Sequence, residues 1–178
     1  MMSAAAINRS LRRFRRNQRG SAAVEFAFIA PMFFGLIFAI IESALVFFAQ
    51  QVLETGTQDA ARLMMTHQAQ DSGMTQAQFQ QNLCDRVSVL MGCAGVYVDV
   101  KTYSSFSTVT ISDPISNCTF VNNFTYQSSN PGDTVVVRAF YQWPLFVTRL
   151  GFNITNIGCG SSTPYRLLAA TAAFQVEP

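Results

Sequence analysis

Residues 26–48 form an almost unbroken apolar run: of these 23 positions only Glu42 is charged. As a helix rising ~1.5 Å per residue the run is ~34 Å long, enough for a hydrocarbon core of ~30 Å. A secretory h-region is shorter, about 7–15 residues, and a small-residue cleavage site follows it directly. The Ala60-Ala61 pair lies too far downstream to be that site, so the pattern predicts a retained anchor. Beyond Phe48 the pattern changes. Gln50, Gln51, Glu54, Gln58, Asp59 and Arg62 interleave with Val52, Leu53, Ala60, Ala61, Leu63 and Met64 at helical spacing. One face of such a helix rests on a domain. The expectation is one helix over residues 21–66, with a lipid half and a globular half, bent or left with a free carbonyl at Pro31.

Asp71-Ser72-Gly73 reads as a break. Thr75 and Gln78 have capping-box spacing, and Phe79, Leu83, Val87 and Leu90 recur at helical intervals, so a second helix is expected over residues 76–89, with Gly92 and Gly95 bracketing its end. The remainder is strand-like. Val96, Val98 and Val100 alternate with Tyr97, Asp99 and Lys101, and residues 106–111 are rich in Thr and Val. Asn130-Pro131-Gly132-Asp133 carries type II turn chemistry and opens a β-branched and aromatic run over residues 134–143. Residues 166–176 suit helix or strand by their alanines; Thr171, Phe174 and Val176 favour a strand. The predicted class is α+β: a long N-terminal transmembrane helix continuing into a small domain with a second helix and an antiparallel sheet of about four strands. The divisions expected are a leader at 1–20, the extended helix at 21–66 and an extracytoplasmic domain at 67–178.

Charge orients this plan. The net charge of +2 conceals a basic leader: Arg9, Arg12, Arg13, Arg15, Arg16 and Arg19 precede the apolar run without an acid among them. The rest of the chain holds six basic residues and all ten acids, and 6 − 10 gives −4. Basic tails also bind nucleic acid, but one that abuts an apolar span acts in topology, and no nucleic-acid partner is expected. Only Arg62 follows the span closely, so the positive-inside rule puts the N-terminus in the cytoplasm and the body outside the inner membrane. Charged residues are 12% of the chain and apolar ones 49%, which excludes disorder for most of it.

Catalytic chemistry finds no constellation. His67 is the one histidine and reads as a surface position rather than a base. No metal cluster or phosphate loop is visible, and neither an enzyme activity nor a cofactor is expected. The Asn-x-Thr triplets at Asn117, Asn123 and Asn153 match a glycosylation pattern and are read as coincidental. Four cysteines, Cys84, Cys93, Cys118 and Cys159, occur without C-x-x-C spacing. An even count in an exported domain reads as disulfides, the alternative being buried free thiols.

The motif with most chemical content precedes the span. Arg19-Gly20-Ser21-Ala-Ala-Val-Glu25-Phe26, with Pro31 after it, has the pattern of a class III (type IV prepilin-like) signal peptide. Gly20 leaves the following peptide bond unhindered for a membrane aspartyl peptidase, and the arginines hold that bond at the cytoplasmic face. Cleavage would free an amine on Ser21. Glu25 then stands at the lip of an apolar helix, where an ionised carboxylate needs a partner, and that amine, its own or a neighbour's, is the natural one. Glu42 is the other charge in the span; at ~100° per residue it lies on a different face from Glu25. It is expected just past the membrane, snorkelling, or paired with another subunit.

Residues 20–62, from Gly20-Ser-Ala-Ala-Val-Glu25-Phe-Ala-Phe-Ile-Ala-Pro31 to Gln58-Asp-Ala60-Ala61-Arg62, resemble the TadE-like family of the bacterial tight-adherence (Flp pilus) system. The resemblance implies processing between Gly20 and Ser21 by a prepilin peptidase and a minor-pseudopilin role. Its partners would be other pilins, the assembly platform and the lipid bilayer; Glu25, Phe26, Pro31 and Glu42 are the residues expected to set helix register. TadE and TadF both remain open, and the chain is short for the von Willebrand-type domain of the TadG branch. The resemblance also suggests a near pair, Cys84–Cys93, which with Cys118–Cys159 is the expected connectivity. The near pair sets a condition: nine residues of helix rise ~13.5 Å, whereas a bridge needs Cα atoms within about 7 Å. The helix must therefore end before Cys93 and fold back, which Gly92 permits. The alternative function is an uncleaved, membrane-anchored periplasmic binding or sensory module. A membrane-impermeant protease applied to spheroplasts is expected to digest the chain beyond residue 66; protection of that region would refute the orientation.

Overall fold

The computed structural model describes residues 20–147, 153–160 and 163–177; the leader arginines lie outside them. The elements are α1 (Ser21–Met65), α2 (Gln68–Asp71), α3 (Gln76–Val87), β1 (Val96–Tyr103), β2 (Ile115–Ser116), β3 (Thr119–Phe120), β4 (Thr134–Pro144) and β5 (Tyr165–Gln175). The fold is α+β. The chain divides into two units, one ending at Ile40 and the other spanning Ile41–Pro178.

In the first unit α1 runs through Pro31. Phe26, Phe28, Ile29, Met32 and Phe33 are all exposed there. Among the described residues α1 is the one helix long and apolar enough to cross a membrane, and only 11% of its most apolar window is buried. A core helix of the same composition would be mostly buried, so this stretch has the surface of an element solvated by lipid.

In the second unit α1 becomes one-sided. Glu42, Val46, Ala49, Leu53, Gly56, Thr57, Ala60, Ala61 and Met64 are its buried residues. From 42 to 60 they alternate in steps of four and three, a narrow seam. Most of the seam is small, which lets the helix lie close to its partners. Gly56 is the tightest point: a Cβ there would stand 2.7 Å from a Val87 methyl. Glycine at 56 is what allows α1 and α3 to cross.

The main sheet has the order β1-β4-β5 and is antiparallel throughout. β4 is central, and all seven residues from Thr134 to Phe140 are buried. Its Val135-Val136-Val137 run suits a strand covered on both faces. One face carries Val96, Val98, Val100, Val135, Val137, Ala139, Leu168 and Ala170, which share a core with the α1 seam and with Phe79, Leu83 and Val87 of α3. β5 is a strand despite its alanines because β4 pairs with it over eleven residues. Its small side chains also admit α1, and Gln50 on that helix donates to the Ala169 carbonyl at 2.8 Å.

The other face is covered by the segment between β1 and β4. Phe140, Ile157 and Leu167 meet Tyr97, Phe120 and Phe124 there, with Phe124 stacked on Phe140 at 4.7 Å. This covering explains a departure from the sequence pattern. Residues 106–111, expected to be strand-like, form a 3-10 turn at Phe106–Thr108 and then irregular chain, so the main sheet has three strands and β2–β3 form a separate ribbon. The β1 edge and the first half of the β5 edge are also capped, as exposed edges invite foreign strands. At β1, Gln80 and Gln76 donate to the carbonyls of Val96 and Val98 at 2.6 and 3.4 Å, and Val100 exchanges hydrogen bonds with Thr125 and Gln127. At β5, Asn156 accepts from the Leu167 amide at 2.7 Å and Ile157 bridges to Tyr165.

Asp99 and Arg138, directly paired across β1 and β4, lie under this layer at 1% and 5% side-chain exposure. Arg138 donates to Asp99 Oδ2 through Nε at 3.1 Å and Nη2 at 2.6 Å, and to the Ser112 carbonyl at 2.7 Å; Asp99 Oδ1 accepts from the Thr125 amide at 3.0 Å. Lys101 stands 3.9 Å from the same carboxylate. The pair thus holds the covering layer by its backbone at two points. Removing one partner strands a buried charge: Asp99→Ala is expected to destabilise the domain by ~3–5 kcal/mol, and Asp99→Leu with Arg138→Met by less. Urea unfolding of the detergent-solubilised chain, followed by Trp143 fluorescence, measures both.

Candidate functional site

Two places on α1 hold carboxylates within the apolar run or at its border, and the protein treats them differently. At the start, Ser21 is the first residue of α1 and Gly20 precedes it, exposed and with nothing within 4 Å of where a side chain would begin. The Gly20–Ser21 bond therefore stands at the helix boundary. One turn on, the Glu25 carboxylate accepts a hydrogen bond from the Ser21 hydroxyl at 3.0 Å. An acid one turn into a helix also lies near the positive end of its dipole. Phe26 and Pro31 follow on the same helix, both exposed.

Glu42 is 5% exposed. Its Oε1 accepts from the backbone amides of Phe146 and Val147, the latter at 3.1 Å, and Oε2 also accepts from Val147 at 3.2 Å. These amides belong to the turn that leaves β4, beside Leu145, whose own amide donates to the Pro164 carbonyl at 3.1 Å. Glu42, expected just past the membrane, snorkelling or paired with another subunit, is engaged within its own chain, where the turn after β4 offers it two backbone amides.

The cysteines are paired as Cys84–Cys93 and Cys118–Cys159, with Cα separations of 5.3 and 5.7 Å. α3 starts on a complete Thr75–Gln78 capping box and ends at Val87. A 3-10 turn at Cys93–Gly95 brings the chain back, which meets the geometric condition on the near pair. The far pair fixes the covering layer. Asn117 and Cys118 are the two residues of the β2–β3 turn, at φ 49° and 57°, the left-handed pairing that type I′ hairpins require. The Gly158 amide donates to the Cys118 carbonyl at 2.8 Å alongside the bridge.

His67 caps α2 in a left-handed conformation, with Nε2 3.7 Å from Asp71. Among the described residues no three of His, Cys, Asp and Glu gather as metal ligands. Tyr126 reaches Met64 Sδ at 3.6 Å, and burial raises its phenol above the usual range. A raised acid stabilises the fold below its ordinary pKa, and that contribution is lost as pH rises through the raised value. A shallow groove of about 270 Å³ between α1 and α3, lined by Gln51, Val52, Thr55, Gly56, Asp59 and Arg86, has Asp59 and Arg86 3.7 Å apart at its rim. Sequence reasoning missed the Asp99–Arg138 pair and the amides that receive Glu42. Lone charges inside valine-rich strands were the available signal for the first; the second had none.

These features define a class: a small disulfide-bonded α+β domain carried on one N-terminal helix suited to single-pass membrane anchoring. Residues 20–62 match the model of the family described as TadE-like protein, the stretch that holds the Gly20–Ser21 bond, both carboxylates and much of the seam. The match points to the tight-adherence pilus system. No curated protein and no solved structure matches the chain.

If the Glu42 contacts hold the turn after β4, Glu42→Ala is expected to remove ~1.5–3 kcal/mol of charged hydrogen bonding. Hydrogen exchange at the Phe146 and Val147 amides should accelerate, while amides of β4 upstream of Tyr141 should keep their protection. Unchanged exchange at 146 and 147 would refute the assignment.

Proposed function

We propose that this chain is a minor pseudopilin of the tight-adherence pilus system, cut between Gly20 and Ser21 by a prepilin peptidase. It resides in the bacterial inner membrane with its leader in the cytoplasm and its domain in the periplasm. It works without chemistry of its own, packing α1 against other pilins and engaging the assembly platform. The observation that carries the reading is the join at Gly20–Ser21: an exposed, unhindered bond directly before an apolar helix, with Glu25 one turn in, inside the family match.

Cleavage would place a new amine on Ser21, whose hydroxyl already donates to Glu25. A charge near an apolar span costs up to ~2.5–3.5 kcal/mol at the membrane centre and less towards the interface. Pairing with an amine offsets that cost and sets the axial register of neighbouring helices. Glu42 is occupied within its own chain, which leaves Glu25 as the carboxylate available for assembly. Phe26 and Pro31, exposed on the same helix, would lie in the packed interface.

The expected outcomes are a wild-type protein beginning at Ser21, and Glu25→Ala protein that is cleaved and membrane-inserted but fails to support piliation. Gly20→Leu should leave full-length precursor. Intact mass and a precursor/mature blot, beside counts of surface pili, read these outcomes. An uncut wild-type N-terminus would favour the anchored binding or sensory module, and normal piliation with Glu25→Ala would defeat the register role.

A further inference from the structure

A hydrocarbon core of ~30 Å needs about 20 helical residues. The uncharged run after Glu25 covers residues 26–41, 16 positions, which at ~1.5 Å each give ~24 Å. The run is too short to cross alone. Counted from Phe26, 20 residues end near Leu45, so Glu42 falls inside the span, about 5 Å short of its end. The side chains beyond it remain lipid-compatible: Leu45, Phe47 and Phe48 are exposed.

A carboxylate at that depth needs donors, and here they come from the turn after β4. Because the Phe146 and Val147 amides bond Glu42 directly, their backbone lies at the depth of Glu42. Phe146 projects its ring outward from that fixed position and is 80% exposed. Leu145 beside it is buried and its amide is held by Pro164, so the ring is presented by anchored backbone. Residues 143–147, Trp-Pro-Leu-Phe-Val, carry no charge.

We infer that the turn at residues 145–147 is a second membrane contact: the domain dips into the bilayer leaflet that faces it, with Phe146 among the acyl chains and Glu42 bonded in the interior of the dip. The occupant is lipid because Leu45, Phe47 and Phe48, in the same unit as Phe146, are exposed and belong to the apolar run 26–48 in sequence. A chain of this design meets the bilayer through the apolar run of α1 and again through the turn after β4. The inference rests on the membrane-anchor reading and adds to it.

The test uses the full chain reconstituted in phosphatidylcholine/phosphatidylglycerol vesicles with a membrane-confined carbene photolabel, followed by peptide mass spectrometry. Label is expected on peptides covering residues 26–41 and on the peptide containing Phe146. The peptide with Val89, which is 87% exposed but has no link to the span, should stay unlabelled. Label on residues 26–41 without Phe146 overturns the second contact and leaves the anchor standing; label on neither overturns both; equal label on Val89 and Phe146 also overturns the second contact. A Trp143→Phe, Phe146→Trp variant gives an independent reading with its single tryptophan. Its emission should be blue-shifted, quenched by brominated acyl chains and protected from iodide. Quenching by iodide alone, or by neither quencher as a second protein copy would produce, refutes lipid contact.

Discussion

Glu42 is where α1 changes environment, and the domain is built around satisfying it. Before it the helix is exposed on nearly every side; from it onward one stripe is buried at alternating spacings of four and three. A buried carboxyl group beside so much apolar surface needs hydrogen-bond donors, and the turn after β4 supplies them. That requirement ties the end of the central strand to the helix. The register of the seam then follows, from Val46 against the sheet down to Met64, where the Met65 carbonyl at the helix end accepts from the Glu177 amide. Helix C-termini leave such carbonyls open, and here the last stretch of the chain closes one.

The sheet solves a different problem. Three strands with a helix on one face would leave an apolar second face, and the chain covers it with irregular segments rather than another helix. Irregular segments carry backbone groups that must be paired when buried. The Asp99–Arg138 pair does this for Thr125 and Ser112, and the Cys118–Cys159 bridge ties the β2–β3 ribbon to the stretch before β5. A buried ion pair adds little net stability compared with apolar residues of the same volume; its contribution here is to place a layer that lacks regular structure. The Cys84–Cys93 bridge acts similarly at the end of α3, next to the close crossing at Gly56.

These arrangements suit a protein whose work is done by helix packing and by position relative to a bilayer. The family match at residues 20–62 covers the anchor and most of the seam, which are the parts that meet lipid, a peptidase or other helices in the proposed role. In the domain beyond, side chains cap strand edges, with Gln76 and Gln80 on β1 and Gln50 and Asn156 on the first half of β5.

Much of this plan was legible in the residues. The 26–48 run, the switch to amphipathic spacing after Phe48, the Thr75–Gln78 box, the Pro131-Gly132 turn (Gly132 at φ 87°) and the β4 run are local patterns. Each records a preference that holds whatever the neighbours are, because solvent period, capping and backbone sterics act over a few residues. Residues 106–111 failed as a strand because β propensity needs a partner, and the free side of β1 was taken by α3 and by residues 125–127. The sequence could show that Asp99, Arg138 and Glu42 were charges in apolar company. Only the tertiary structure could decide that the first two satisfy each other across a strand pair, and that the third is met by amides 104 and 105 residues away. Such partners are chosen by chain reversal and packing, and no local spacing encodes them.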